Sequence, residues 1–292
     1  MAKHRVTVDT GGTFSDFVFF NEDTGEISIT KLPSTPREPF QAVLYGVKEL
    51  LERGVTAGDV SFFCHGTTVG TNALLEEKGA KTGLLVTQGF RGIYEVMEQT
   101  RGYGPATYDL FFEKPRLLAP PFYTEEIPER VDFRGNVLKP LDVEAARQAI
   151  RRLKKKGAQS VAVCFLFSFL NPDHELKIKE LFAEEFPEAR LSLSYEVLPQ
   201  IREFYRMSTT IINAYIQPVM ANYLGSLEKR MREMGINTPK LYIMQSNGGV
   251  STFAGSAKKP VATVLSGPAG GVIASMGTCE RVGTNNIITF DM

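Results

Sequence analysis

An α/β protein with a mixed sheet is the fold class that this sequence predicts, on three observations. Three β-rich runs open the chain with only turns between them, so they pair as an antiparallel meander. Beyond residue 59, apolar strands alternate with helical periodicity, the pattern that builds parallel sheets. The 292 residues are 43% hydrophobic and 23% charged, ordinary composition for a chain that buries a sizeable core.

The meander occupies 5–9, 14–20 and 26–32, with the turn residues "NEDTGE" before its third strand. Residues 38–53 form an amphipathic helix with Phe40, Val43, Leu44, Val47, Leu50 and Leu51 on one stripe, closed by Gly54. A buried strand, a small-residue loop and a helix over about 69–78 come next, and "KTGLLVTQGF" is another buried strand. The stretch 98–140, rich in proline and poor in periodicity, reads as a long irregular excursion, a kind of segment that usually contacts substrate or partner. Alternation resumes with helix 142–156, strand 159–167, helix 173–186 and strand 191–196. A helical stretch over about 200–234 is expected to break or kink near Pro218. The strand "KLYIMQS", the turn "NGGV", an apolar helix near 268–280 and a strand at 286–291 complete the chain.

Lys+Arg and Asp+Glu both total 33, so the net charge is zero and nothing argues for nucleic acid or an anionic membrane as a main partner. The basic run Arg151, Arg152, Lys154, Lys155 and Lys156 ends a helix, where it complements the dipole as a solvated face. Cys64, Cys164 and Cys279 have no metal spacing and read as reduced thiols, with Cys164 a buried apolar residue. No signal core and no membrane-length apolar run is present, so the expectation is a soluble, cytoplasmic protein. His4 and His174 read as surface positions, the latter in a helix start.

Chemistry concentrates in "VTVDTGGTFSDFVFF". A phosphate-binding loop needs backbone N–H groups that converge, and glycines permit both the conformation and close approach. Gly11 and Gly12 offer this, flanked by the hydroxyls of Thr10 and Thr13, while Asp9 at the strand end suits a hydrated Mg²⁺. The loop runs into a second strand rather than a helix, so it is neither a Walker loop nor a dinucleotide turn. A plain β-hairpin with a Gly-Gly turn fits the same residues. His65, in "CHGTTVGTNALLE", follows a buried strand and suits either proton relay and substrate orientation or a structural hydrogen bond. Thr67, Thr68 and Asn72 suit substrate contact or loop capping, and Arg91 and Arg101 suit anion holding or surface ion pairs.

The order strand, Asp-x-Gly-Gly-Thr, strand, turn, strand, helix resembles the opening of the actin, sugar kinase and heat-shock chaperone ATPase superfamily. That resemblance implies a ribonuclease-H-like half with inserted and peripheral segments, ATP lying in a cleft between two such halves. A helix of small residues connects the halves in that superfamily, and "LSGPAGGVIASMG" is similar to it, Ser266 being placed to cap it and Pro268 in its first turn. Asp291 would then be the Asp of a second hairpin, whose Gly-Gly-Thr turn would follow. The chain stops at Met292, which predicts a truncated or split subunit, inactive alone.

"VDTGGTFSDFV", "HGTTVGTNALLEEKG", "GLLVTQGFR", "YDLFFEKPRLLAP", "QSNGGV" and "LSGPAGGV", in this order over nearly the whole chain, resemble the A subunit of the hydantoinase/oxoprolinase family. The resemblance implies an N-terminal actin-like ATPase domain over 1–190 and the start of a core domain over 191–292. It also implies Mg²⁺-ATP, a B-type partner subunit in a hetero-oligomer, and phosphorylation of a carbonyl oxygen of the substrate. On this basis Asp9, His65 and Asp291 are candidate catalytic residues, with Asp9 and Asp291 serving the metal through water. Thr10, Gly11, Gly12, Thr13, Gly267, Gly270 and Gly271 are candidate phosphate contacts. Hydrolysis of a cyclic amide, of hydantoin or 5-oxoproline type, is the first functional reading. Hydantoinase-type members commonly carry an Arg-Pro pair just before "YDL", whereas this chain has "RGYGPATYDL". That departure supports the alternative of an acetone- or acetophenone-type carboxylase subunit. A non-catalytic assembly module is the third reading.

Overall fold

β1 (His4–Thr10) buries Val6, Val8 and Thr10 and exposes the residues between them, the period-two pattern of a strand with one face on a core. The computed structural model describes residues 3–35, 38–97, 108–284 and 286–290. The chain divides into two compact units, Met1–Lys78 with Val219–Met292, and Gly79–Pro218. The sequence boundary at 190/191 falls within the second unit.

In the first unit, β2 (Phe14–Asn21) and β3 (Ile27–Pro33) complete the expected antiparallel meander. α1 (Pro39–Glu52) starts with proline at its first turn and ends before Gly54, whose left-handed φ of 96° stops the helix. β4 (Val60–Thr67) runs parallel to β1, and α2 (Val69–Leu75) follows, shorter than the expected helix. The unit resumes with β11 (Leu241–Met244), parallel to β4, and β12 (Val250–Thr252), antiparallel to β11. The sheet order is β12-β11-β4-β1-β2-β3. Its core packs Val6, Val8, Phe17 and Phe63 against Val43 and Val47 of α1 and Tyr223, Leu224 and Leu227 of the long helix described below. Gly46 lets α1 approach, since a Cβ there would stand 2.2 Å from Phe17 Cε1.

α8 (Phe253–Lys258) and α9 (Ser266–Val282) complete this unit, and α9 packs on β4 and β11, with Gly270 facing Met244. Two expectations change here. Leu265, with φ of 61°, occupies the cap position, while Ser266 is the first helical residue and its buried hydroxyl has no partner among the described residues. Residues 286–290 form no strand, and Ile288 and Phe290 are 96% and 85% exposed. β-forming side chains specify a face, but a strand also needs a ladder partner, and none pairs with these residues among those described.

The second unit is a four-stranded parallel sheet of order β10-β9-β5-β6. Its elements in chain order are β5 (Thr82–Thr87), α3 (Ile93–Val96), β6 (Thr124–Ile127), β7 (Arg130–Val131), β8 (Val137–Lys139) and α4 (Val143–Lys155). After these come β9 (Ser160–Cys164), α5 (Asp173–Glu185), β10 (Arg190–Leu193), α6 (Ser194–Val197) and the start of α7 (Glu203–Glu233). Every residue of β5 and β9 is buried, as a sheet covered on both faces requires. Leu85, Val161 and Val163 meet α4 and α5 on one face, and Leu84, Val86, Ala162 and Cys164 meet Met207, Ile211 and Ala214 of α7 on the other.

The expected irregular excursion contains the fourth strand of this sheet, β6, and a small β7–β8 hairpin. Prolines obscured both, because such short strands show too few residues for periodicity to register. Helix α7 continues through Pro218 rather than breaking there. Buried side chains on both sides of the proline outweigh the hydrogen bond it forfeits. His174 is buried rather than at the surface, its Nδ1 2.7 Å from the Glu129 carboxylate, a partner contributed from 45 residues away. Next to it, the wholly buried Glu175 accepts hydrogen bonds from Phe165 N–H, Ser194 Oγ and Tyr195 N–H, and burial pushes its carboxyl upward. The basic end of α4 is tied down by carboxylates: Arg151 to Glu185, Arg152 and Lys156 to Glu125, and Lys154 to Glu188. No described helix is long and apolar enough to cross a membrane.

Candidate functional site

Residues 11–13 connect β1 to β2 in a turn whose Gly11 and Thr13 carbonyl groups are both occupied by Ser34. Gly11 N–H donates to Phe14 O at 3.0 Å, Ser34 N–H to Thr13 O at 2.9 Å, and Ser34 Oγ to Gly11 O at 2.8 Å. Ser15 Oγ donates to Thr10 Oγ1 and lies 3.1 Å from Ser34 Oγ, so the end of β3 braces the turn. Among the described residues, the N–H groups of Gly12 and Thr13 have no partner. Neither glycine adopts a left-handed backbone, and a Cβ at Gly12 would meet nothing within 4 Å. What glycine provides here is an unobstructed approach to the turn, not a special conformation.

β1 and β4 are parallel and in register, Thr10 beside Thr67 and Asp9 beside Gly66, so both end at the same edge of the sheet. A cavity of about 210 Å³ opens at that edge, where ligands of α/β sheets commonly sit. Thr10, Gly11, Gly12, Thr68 and Asn72 line it, a gathering of five residues proposed from two separate motifs. Thr68 Oγ1 donates to Thr10 O and Asn72 Nδ2 to Thr68 Oγ1, both at 3.3 Å, which links α2 to the end of β1. Thr67 is buried and accepts from Val69 N–H, a loop-capping contact. Ser34, Thr35, Glu76 and Lys78 also line the cavity. Ser34 and Thr35 follow β3 outside any motif, and Glu76 and Lys78 are ordinary polar residues at the end of the "HGTTVGTNALLEEKG" segment.

Asp9 is exposed on the opposite side of β1 from Thr10, by strand alternation. Its Oδ1 lies where a Cβ on Gly66 would stand only 2.6 Å away, so Gly66 leaves space for the carboxylate. Among the described residues no three metal-ligating side chains cluster. Magnesium is usually held by few carboxylates with water and phosphate oxygens, and Asp9 at the end of β1 could supply one such carboxylate.

His65 is wholly buried in the core. Its Nδ1 faces Val8 O at 3.3 Å and its Nε2 faces Tyr223 OH at 2.6 Å. With Nδ1–H donating to the carbonyl, Nε2 accepts from the phenol, so both ring nitrogens are used in tying β4 to β1 and α7. Burial lowers its pKa to about 4, which keeps the ring neutral. Of the two roles open in the sequence, this geometry matches the structural one. Arg91 belongs to the second unit, where its guanidinium donates to Pro121 O and its backbone N–H to Glu126. Gly267, Gly270 and Gly271 lie in the first turns of α9 and do not line the cavity. Arg101 and Asp291 lie outside the described residues.

Residues 5–186 match the hydantoinase/oxoprolinase N-terminal region and residues 206–292 match hydantoinase/oxoprolinase. The caprolactamase subunit alpha of Pseudomonas jessenii is 33% identical over 99% of this chain and 42% of its own length. The acetophenone carboxylase gamma subunit of Aromatoleum aromaticum is 31% identical over 100% of this chain and 41% of its own. The crystal structure of the ATP-dependent caprolactamase from Pseudomonas jessenii superposes with a TM-score of 0.88 at 33% identity, over 99% of this chain and 42% of that one. This chain thus spans less than half the length of these relatives. With two family segments in order along nearly all of its length, the chain belongs to the hydantoinase/oxoprolinase family.

Proposed function

We propose that this chain is the N-terminal part of the A-type subunit of an ATP-dependent enzyme that hydrolyses a cyclic amide. The observation that carries the reading is the cavity at the shared end of β1 and β4, fronted by a turn with two N–H groups to spare. The β3-β2-β1-β4-β11 order, with β1, β4 and β11 parallel, supports an actin-like, ribonuclease-H-type half. A lactam-directed, ATP-dependent relative supports both the nucleotide and the substrate class. Relatives that carry the names alpha and gamma subunit support a partner subunit.

An amide oxygen is a poor leaving group until it is phosphorylated, and catalysis of that transfer is mostly positioning and charge neutralisation. In this reading Gly12 and Thr13 N–H groups hold phosphate oxygens and the Thr10 hydroxyl orients them, while Thr68 braces the end of β1 through its bond to Thr10 O. Asp9 holds magnesium, which supplies positive charge to the phosphates when bound. Asp291 would serve the same metal from a second hairpin.

The carboxylase reading rests on the missing Arg-Pro pair before Tyr108 and on the acetophenone carboxylase relative. Turnover of ATP by the full-length protein with its partner separates the two. Lactams, hydantoin and 5-oxoproline should each be offered, against ketones with bicarbonate. Stimulation by a cyclic amide is the expected result, and stimulation by ketone and bicarbonate alone would overturn it. In the same complex Asp9→Ala is expected to lower substrate-dependent turnover at least about a hundredfold, and wild-type turnover in that variant would remove the phosphate assignment.

A further inference from the structure

Among the described residues that line the β1–β4 cavity, Lys78 is the only cation. Its place is set by the backbone that ends α2. Glu76 N–H donates to Asn72 O at 2.8 Å, and Lys78 N–H reaches back to Ala73 O at 2.9 Å. That closure requires a left-handed residue between them, and Glu77 takes it with φ of 54°, where glycine is the usual choice. The turn brings Glu76 and Lys78 to one wall of the cavity, where Lys78 Nζ meets Glu76 Oε2 at 2.5 Å. Asn72 and Ala73, whose carbonyls anchor the turn, line the same cavity.

We propose that Lys78 is the charge that holds a phosphate oxyanion in this cavity, and that Glu76 occupies Lys78 until the anion displaces it. The inference rests on the phosphate-handling reading of the site given above and adds to it a specific cation and an exchange step. An exposed Lys–Glu pair contributes little, so opening it costs little, and the freed Glu76 carboxylate is solvated. A phosphate offers several charge-assisted hydrogen bonds to an ammonium, together with the Gly12 N–H and the Thr10 hydroxyl. With Glu76 paired to Lys78 the cationic wall of the cavity is neutral, and only an anion with more than one oxygen to offer competes well.

Two sources share this chemistry, the phosphate chain of a nucleotide and the single phosphate of a phosphorylated substrate. Direct binding by calorimetry, with the full-length protein in its subunit complex, distinguishes them, using ATP and inorganic phosphate as separate probes. Lys78→Gln is expected to weaken one of the two by about tenfold, Lys78→Arg to restore most of it, and Glu76→Gln to tighten it several-fold. Loss confined to ATP assigns the nucleotide, and loss confined to inorganic phosphate assigns the substrate phosphate. Side-chain exposures of 74% for Lys78 and 51% for Glu76 mean that both variants should fold, which an unchanged melting temperature verifies. Unaltered binding of both probes in Lys78→Gln would overturn the proposal. The readout is binding and not turnover, so a complex that hydrolyses no ATP while still binding phosphate through Lys78 would sink the enzymatic reading and leave this one standing.

Discussion

Asp9 and Gly66 are neighbours across β1 and β4, and each explains the other. A carboxylate at the strand end needs room, and only a residue without a Cβ leaves it, because the added atom would come within 2.6 Å of Asp9 Oδ1. Gly66 has no left-handed backbone, and a flexible side chain can swing away, so Gly66→Ala should fold with nearly the wild-type melting temperature. The displaced carboxylate should nevertheless reduce substrate-dependent ATP turnover by about a hundredfold in the full complex. Turnover near wild type in that variant would count against Asp9 as the metal-holding residue. His65 supports a different prediction. Its folded-state pKa of about 4 lies below the ordinary value of 6.5, so between those limits the unfolded chain binds the extra proton. Stability from this group is therefore present above pH 6.5 and lost as the pH falls toward 4, by up to about 3 kcal/mol. Urea denaturation across that range should show the wild type losing stability relative to His65→Asn, and parallel curves would contradict the buried neutral assignment.

At the scale of elements, α1 and α2 do separate jobs. α1 covers the inner face of the meander closely because Gly46 meets the Phe17 ring. Gly46→Ala would overpack that contact and should cost about 1–3 kcal/mol, measurable as a lower denaturation midpoint with unchanged slope. A midpoint within error of wild type would mean that α1 shifts to absorb the methyl. α2 is only seven residues long, yet it carries Asn72 inside the helix and Glu76 and Lys78 just past its end, all on the cavity wall. Its short length matters for this placement. The expected helix to residue 78 would have carried Glu76 and Lys78 to different faces, since residues two apart on a helix do not face each other.

At the scale of the molecule, the chain builds two parallel-strand arrangements with different covering. The first sheet is mixed, and its C-terminal strand edge carries the cavity. The second is wholly parallel and buried on both faces, with a polar interior around Glu129, His174 and Glu175 that is satisfied by internal hydrogen bonds. The first unit is assembled from the two ends of the chain, so its sheet closes only when β11 returns beside β4.

By itself the sequence determined the α/β class, the meander, most helices and the family, because each rests on local information. The spacing of Asp9, Gly11 and Gly12, the stripe of α1 and the uniform burial of β5 are all decided within a few residues of chain. Tertiary structure alone decided which residues meet. Thr10 reaches Thr68 from 58 residues away, His65 reaches Tyr223 from 158, and His174 finds Glu129 from 45, and no local pattern encodes such partners. The same holds for β6, whose few residues become a strand only because β5 offers it a ladder. Lys78 and Glu76 carry no chemical signature of their own within the "HGTTVGTNALLEEKG" segment and enter the cavity through a left-handed turn at Glu77. Local residues set backbone conformation, and burial and partnership come from contacts between distant segments. For that reason the hairpin was legible in the sequence, and of the wall opposite it Thr68 and Asn72 were but Glu76 and Lys78 were not.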